Sequence, residues 1–236
     1  GGIATGIRHR KQRFRLGEAT LWLRGPAACD TCPPARLPAV RAGVAVLAPE
    51  SVRLSVRSAF GTAVELGLRG DSLIAYAPGS GLGVMLDAVR DSFGPAGPGR
   101  LAARLLAAAW RPPEGISPRR TWAEGRLVLG WLDGGDSVAV AVGETGLPAW
   151  ARLRHADGGG TRVRYERWEV ADGVAWPMAW SLETDDGGPG VACRMERVSF
   201  AGRPDPERLR VRVPADAERI GAEELRRLLG AASGPR

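Results

Sequence analysis

Apolar and polar residues alternate through most of this chain, most clearly between Ser51 and Tyr76. Val52, Leu54 and Val56 alternate with Arg53, Ser55 and Arg57, and Val64, Leu66 and Leu68 alternate with Glu65, Gly67 and Arg69. A period of two is that of a strand with one face on a core. The stretch therefore predicts two strands joined at Ser58-Ala59-Phe60-Gly61, with Gly61 free to take the positive φ a tight turn needs. Phe60 stands at or beside the tip, where turns normally meet water. It either folds back onto the sheet or projects into a membrane or a partner.

Before this pair, Phe14 to Leu23 and Val40 to Ala48 read as strands, and Asp71 to Ala77 adds another. The period then changes. Leu82, Met85, Leu86, Val89 and Phe93 form one stripe at helical spacing, so Gly81 to Phe93 predicts a helix. After GPAGPG, the alanine-rich Arg100 to Trp110 predicts a second helix, closed by Pro112 and Pro113. Strands resume as Leu127 to Leu132, Ser137 to Val142, Leu147 to His155, Thr161 to Val170, Val174 to Glu183 and Val191 to Phe200. The joins DGGD, GETG, ADGGG, ADG and TDDGGPG are all turn chemistry, so the strands form an antiparallel meander long enough to curl into a barrel or half-barrel. Ala222 to Leu229 reads as an amphipathic helix stopped by Gly230. The expectation is a mainly β protein: one domain over 1–236, an antiparallel unclosed barrel of about eleven strands over 14–200, a helical lid at 81–111 inserted between strands, and a C-terminal helix within 214–230.

Composition supports a folded domain and narrows its partners. Hydrophobic residues make up 44% and charged residues 25%, which excludes wholesale disorder. The net charge is +7, carried by arginine with Lys11 the single lysine. Arg53, Arg57, Arg162 and Arg164 alternate along strands, which spreads charge over a solvated face instead of one groove and argues against nucleic acid. The densest run is Arg8, Arg10, Lys11, Arg13 and Arg15, either a solvated tail or a segment drawn to anionic headgroups. No apolar run reaches the roughly 18 residues of a transmembrane helix. Gly1 and Gly2 read as the start left by removal of a signal peptide or a lipidated cysteine, or as a scar.

Candidate chemistry is sparse. Cys29 and Cys32, spaced CDTC between strands, suggest a local disulfide, and Cys193 inside a strand reads as a buried hydrophobe. A zinc site would need two further ligands that His9 and His155 do not supply, so no metal is expected. No Ser, His and acid grouping assembles, and GETG and DGGD precede strands instead of helices, so neither catalysis nor a cofactor is expected. The informative strand is Val174 to Leu182: Val174, Trp176, Met178, Trp180 and Leu182 all point to one side. With eight tryptophans against two tyrosines, that face is either a bulky packed core or the lining of an apolar cavity able to hold acyl chains.

The order of elements resembles a known family. A strand, the turn Ser58-Ala59-Phe60-Gly61, TAVELGL, a further strand, two helices closed by Trp110 and a strand-rich second half resemble the LolA/LolB-like lipoprotein carriers and receptors, LolB in particular. VRYERWEVADGVAWPMAWSLETDDGGPGVACRMERVSF is similar to that family's closing strands, and the resemblance spans Phe14 to Phe200. It implies an unclosed barrel with a helical lid, a periplasmic setting and an apolar cavity for lipoprotein acyl chains. On this chain the cavity would be lined by Val64, Leu66, Leu82, Leu86, Val89, Trp110, Trp176, Met178 and Trp180. Phe60, beside Gly61, would be the membrane-inserting residue. The implied partners are acylated lipoproteins or lipid, a membrane surface and a periplasmic lipoprotein carrier. The CDTC loop, the C-terminal helix and the missing lipidated cysteine depart from the pattern, leaving open whether the chain is anchored to the inner leaflet of the outer membrane, as LolB is, or free, as LolA is. The expected function is delivery of lipoprotein to the outer membrane. Its alternative is a structural or sensory envelope module with a packed core.

Overall fold

The computed structural model describes residues 14–27, 34–36, 39–47, 51–59, 61–70, 72–87, 104, 110–156, 158–171, 174–185, 190–201, 206–221 and 224. Their strands are β1 (Phe14–Ala27), β2 (Pro34–Arg36), β3 (Val40–Leu47), β4 (Ser51–Ser58), β5 (Gly61–Arg69), β6 (Ser72–Ala77), β7 (Leu82–Asp87), β8 (Arg119–Ala123), β9 (Arg126–Asp133), β10 (Asp136–Val142), β11 (Pro148–Arg154), β12 (Gly160–Ala171), β13 (Val174–Thr184), β14 (Gly190–Ala201) and β15 (Glu218–Ile220). All belong to one unclosed sheet in the order β15-β7-β6-β5-β4-β3-β1-β14-β13-β12-β11-β10-β9-β8, with β2 attached to β1. Two meanders, β3–β7 and β8–β14, are joined along β1, which pairs with β3 on one side and β14 on the other.

The alternation read from the sequence builds the core. Val44, Val46, Val52 and Leu68 face the same side as Trp131, Val138, Val140, Leu153, Val163, Trp176, Met178, Trp180 and Met195, and together they form one buried cluster. We call this the inner face. Its strands send Arg53, Arg57, Arg152 and Arg164 to the other side, as the period of two requires.

All eleven strands expected from the sequence are present, and four more were not foreseen: β2, β7, β8 and β15. β7 replaces the first turns of the expected helix from Gly81 to Phe93. Its sequence LGVMLD satisfies both periods: Leu82, Val84 and Leu86 alternate as well as Leu82, Met85 and Leu86 stack helically. The strand wins because β6 offers it a backbone ladder, and Met85, buried in the helical reading, is 55% exposed. No helical lid is seen among the described residues. Of the expected second helix only Arg104 and Trp110 are described, Arg104 in helical conformation. Residues 88–103 and 105–109, with Val89 among them, lie outside the described residues, as do Phe60 and the Cys29 and Cys32 pair. Within 214–230, where a helix was expected, Glu218 to Ile220 instead adds β15 in parallel to β7. Glu224 alone of Ala222 to Leu229 is described, and it is helical. β8 escaped the sequence reading because RRTWA carries no alternation, and all five of its residues are exposed at the sheet edge.

Ahead of β15, residues 206–213 pass over the outer face. A 3-10 turn, Pro206–Leu209, packs over β3 and β4, and Val211 and Val213 then lie against Gly67 and Gly83. A methyl group on Gly67 would stand 3.0 Å from Val211, and one on Gly83 would overlap Val213. Glycine at these two strand positions is what lets the strap lie down.

Candidate functional site

The inner face of β13 is the floor of the candidate site. Trp176, Met178 and Trp180 are only 1%, 6% and 6% exposed, with Leu182 packed against them. Between them Pro177, which has no N–H to give a ladder, pairs with Trp168 where β12 slips its register on both sides of Arg167. That irregularity has a second effect. It turns Tyr165 and Trp168, three residues apart, onto the same inner face with their rings 5.3 Å apart, and leaves Arg167 exposed.

Tyr165 ties the floor to Trp110 and Arg104. The indole N–H of Trp110 donates to the Tyr165 hydroxyl at 2.7 Å, and that hydroxyl donates to the Arg104 carbonyl at 3.5 Å. The Arg104 guanidinium in turn pairs with Asp133 at the end of β9, both side chains nearly buried. The two ends of the 104–110 segment are thus fastened to the inner face by three polar contacts around an apolar floor. Burial raises the Tyr165 phenol well above its ordinary range, opposed in part by the hydrogen bond from Trp110, so it stays a neutral donor. Burial likewise pushes the Cys193 thiol up to about 12, which leaves it an unreactive core group.

The residues expected to line a cavity separate into groups. Trp110, Trp176, Met178 and Trp180 share the main cluster, with Leu66 packed against it. Leu86 is buried in a smaller cluster with Val84 and Ile220, and Leu82 packs there too. Val64 is 38% exposed near the hairpin end. Gly61 takes φ 117°, as the turn requires. Of the fastening residues, Trp110 was expected at the site, while Tyr165, Arg104 and Asp133 were missed by the sequence reading. Tyr165 carried a signal, since it alternates with Val163 toward the core, but nothing local announces that Arg104 meets Asp133 across 29 residues. His155 and Asp136, 3.3 Å apart at the same end of the sheet, were also missed; Asp136 is fully buried. Among the described residues no group of His, Cys, Asp and Glu could hold a metal ion, and no helix is long and apolar enough to cross a membrane.

No family model matches the chain, and no curated protein matches it significantly. Solved structures do share its fold. A DUF1329 family protein from Desulfovibrio piger superposes with a TM-score of 0.60 at 10% identity, covering 88% of this chain and 94% of its own. A LolA superfamily protein from Nitrosomonas europaea superposes with a TM-score of 0.54 at 15% identity, covering 86% and 93%. At these identities the likeness is one of fold alone, and neither of these structures is a LolB.

Proposed function

We propose that the chain is a non-catalytic periplasmic lipid- or lipoprotein-binding protein that takes acyl chains against the inner face and delivers acylated protein to the outer membrane. The observation that carries this is the floor of Trp176, Met178 and Trp180, to which Trp110 and Arg104 are fastened by a few separable polar contacts. The fold shared with a LolA superfamily protein supports it. In this reading Phe60 touches the membrane, and Leu66, Leu82, Leu86 and Val89 extend the acyl path toward the β7 edge.

Rough magnitudes allow such a cycle. Releasing the 104–110 segment breaks a buried ion pair and two hydrogen bonds, about 6 kcal/mol in all. Burying roughly eight methylenes at about 0.8 kcal/mol each offsets that. The test is native mass spectrometry of protein purified from bacterial envelope, followed by uptake of a synthetic acylated peptide. Co-purifying lipid or saturable uptake is expected, and uptake should fall in Trp180→Ala. A clean apo mass with no uptake would overturn the reading.

One observation favours the second reading, an envelope module with a packed interior: the floor residues are closed off as they stand, at 1% to 6% exposure. Such a module would bind protein through a sheet edge and take up no acyl peptide.

A further inference from the structure

The sequence spreads arginine along many strands, yet four arginines converge on the outer face. A groove of about 660 Å³ opens there, on the side of the sheet opposite the buried core. β4 turns Arg53 and Arg57 into it, β14 contributes Arg197 and Ser199, and the 3-10 turn brings Arg208 over from the strap. Its floor is β3 at Gly43 and Ala45, where the side chains are smallest. A methyl group on Gly43 would already stand 3.9 Å from the Arg57 guanidinium.

The groove is braced from within the protein. Arg53 Nη2 donates to both oxygens of Glu65 at 2.7 Å, and its Nη1 donates to the Arg208 carbonyl at 3.3 Å. The second bond fixes the turn that carries Arg208 to the strand that carries Arg57. Cross-strand register also places Glu18 in the row between Arg197 and Gly43, and a bulge carries Glu196 out to accept from Thr20 one row away. Of the described side chains that line or brace the groove, four are arginines and one, Glu65, is acidic, beside the small β3 residues Gly43 and Ala45.

We propose that this groove binds a phosphate-type oxyanion bearing an organic substituent, drawn from an anionic lipid headgroup or from a soluble organic phosphate. Guanidinium forks match phosphate oxygens two at a time, and the Ser199 hydroxyl adds a neutral donor. The volume exceeds what a bare phosphate needs and falls in the range of small-molecule sites. The site lies on the face opposite the acyl floor and does not depend on it.

The test uses the full chain, the paired variant Arg57→Gln with Arg197→Gln, and a control, Arg119→Gln with Arg120→Gln, that removes equal charge from exposed β8. Binding is measured to phosphatidylcholine vesicles with and without phosphatidylglycerol, and to glycerol phosphate by calorimetry. The groove pair should lose about tenfold or more in affinity for one of these probes, while the control loses about twofold or less. Loss confined to anionic vesicles identifies a lipid headgroup as the source, and loss of glycerol phosphate binding identifies a soluble phosphate. Equal losses in both variants, or no binding of either probe by the unmodified chain, would overturn the proposal. Acylated-peptide uptake, measured in parallel, should be unchanged in the groove pair, so failure of this site and failure of the acyl site read out separately.

Discussion

The two meanders solve the same problem differently. β8–β14 buries chiefly one face: large aromatic and thioether groups go inward, and outward positions such as Arg154, Arg164 and Arg194 meet water, with Val128 and Ala141 as buried exceptions. β3–β7 is covered on one face and along part of the other, with slim aliphatics Val44, Val46, Val52 and Leu68 inward and a strap seated on Gly67 and Gly83 outward. The contrast teaches that a glycine at a nominally polar strand position is a contact site wherever something crosses the sheet, and a neutral gap where nothing does.

The sharpest way to test the one-faced half is Trp176→Ala, which should cost about 3 to 5 kcal/mol in chemical denaturation because nothing can collapse into so large a void. A cost under about 1 kcal/mol would mean that half does not depend on its inner face. The two-faced half is tested by Gly83→Ala, whose methyl overlaps Val213. We expect about 1 to 3 kcal/mol of destabilisation, largely relieved in combination with Val213→Ala. Gly130→Ala, in the one-faced half, meets only the Val138 carbonyl at 3.8 Å and should lie within about 0.5 kcal/mol of neutral. If both substitutions behave alike, the distinction between the halves fails. Tyr165→Phe should cost about 1 kcal/mol and speed hydrogen exchange at the Trp110 indole, because it frees the segment that bridges the sheet without opening a void.

The smallest expected effect concerns alkaline pH. Cys193 stays protonated in the fold up to about 12, above its ordinary value of 9.0, so between these values the unfolded chain releases a proton that the folded chain keeps. Stability contributed by the neutral thiol is therefore complete below about pH 9 and declines as pH rises toward 12. Cys193→Ala should flatten the part of that decline that begins first, measured as denaturation midpoint against pH; Tyr165 adds its own share from pH 10 upward.

What was legible in the sequence follows the same division. Strands of the one-faced half announce themselves through Val, Trp and Arg alternation and through turns rich in Gly and Asp. The Trp176, Met178 and Trp180 floor was legible for that reason. β7 was not, because Gly83 carries no polarity to break the helical stripe and its role depends on Val213, 130 residues downstream. β15 was not, because a three-residue strand exists only through the edge it completes. The arginine groove was hidden too: single strands display alternation, and only register across β14, β1, β3 and β4 shows which arginines become neighbours.

The place of β1 has a consequence for how the molecule comes into being. This strand lies at the middle of the sheet, and its register with β14 joins Phe14 to Ala201. A ribosome emits β1 before every other strand of this sheet and its partner β14 after all but β15, so half of the strand's backbone ladder waits unfilled while the strands between are made. Such long-range closure slows folding and leaves apolar strand edges open in the interim. The native sheet can form only after β14 has followed β1 out of the ribosome, and until then the growing polypeptide must be kept apart from its own copies.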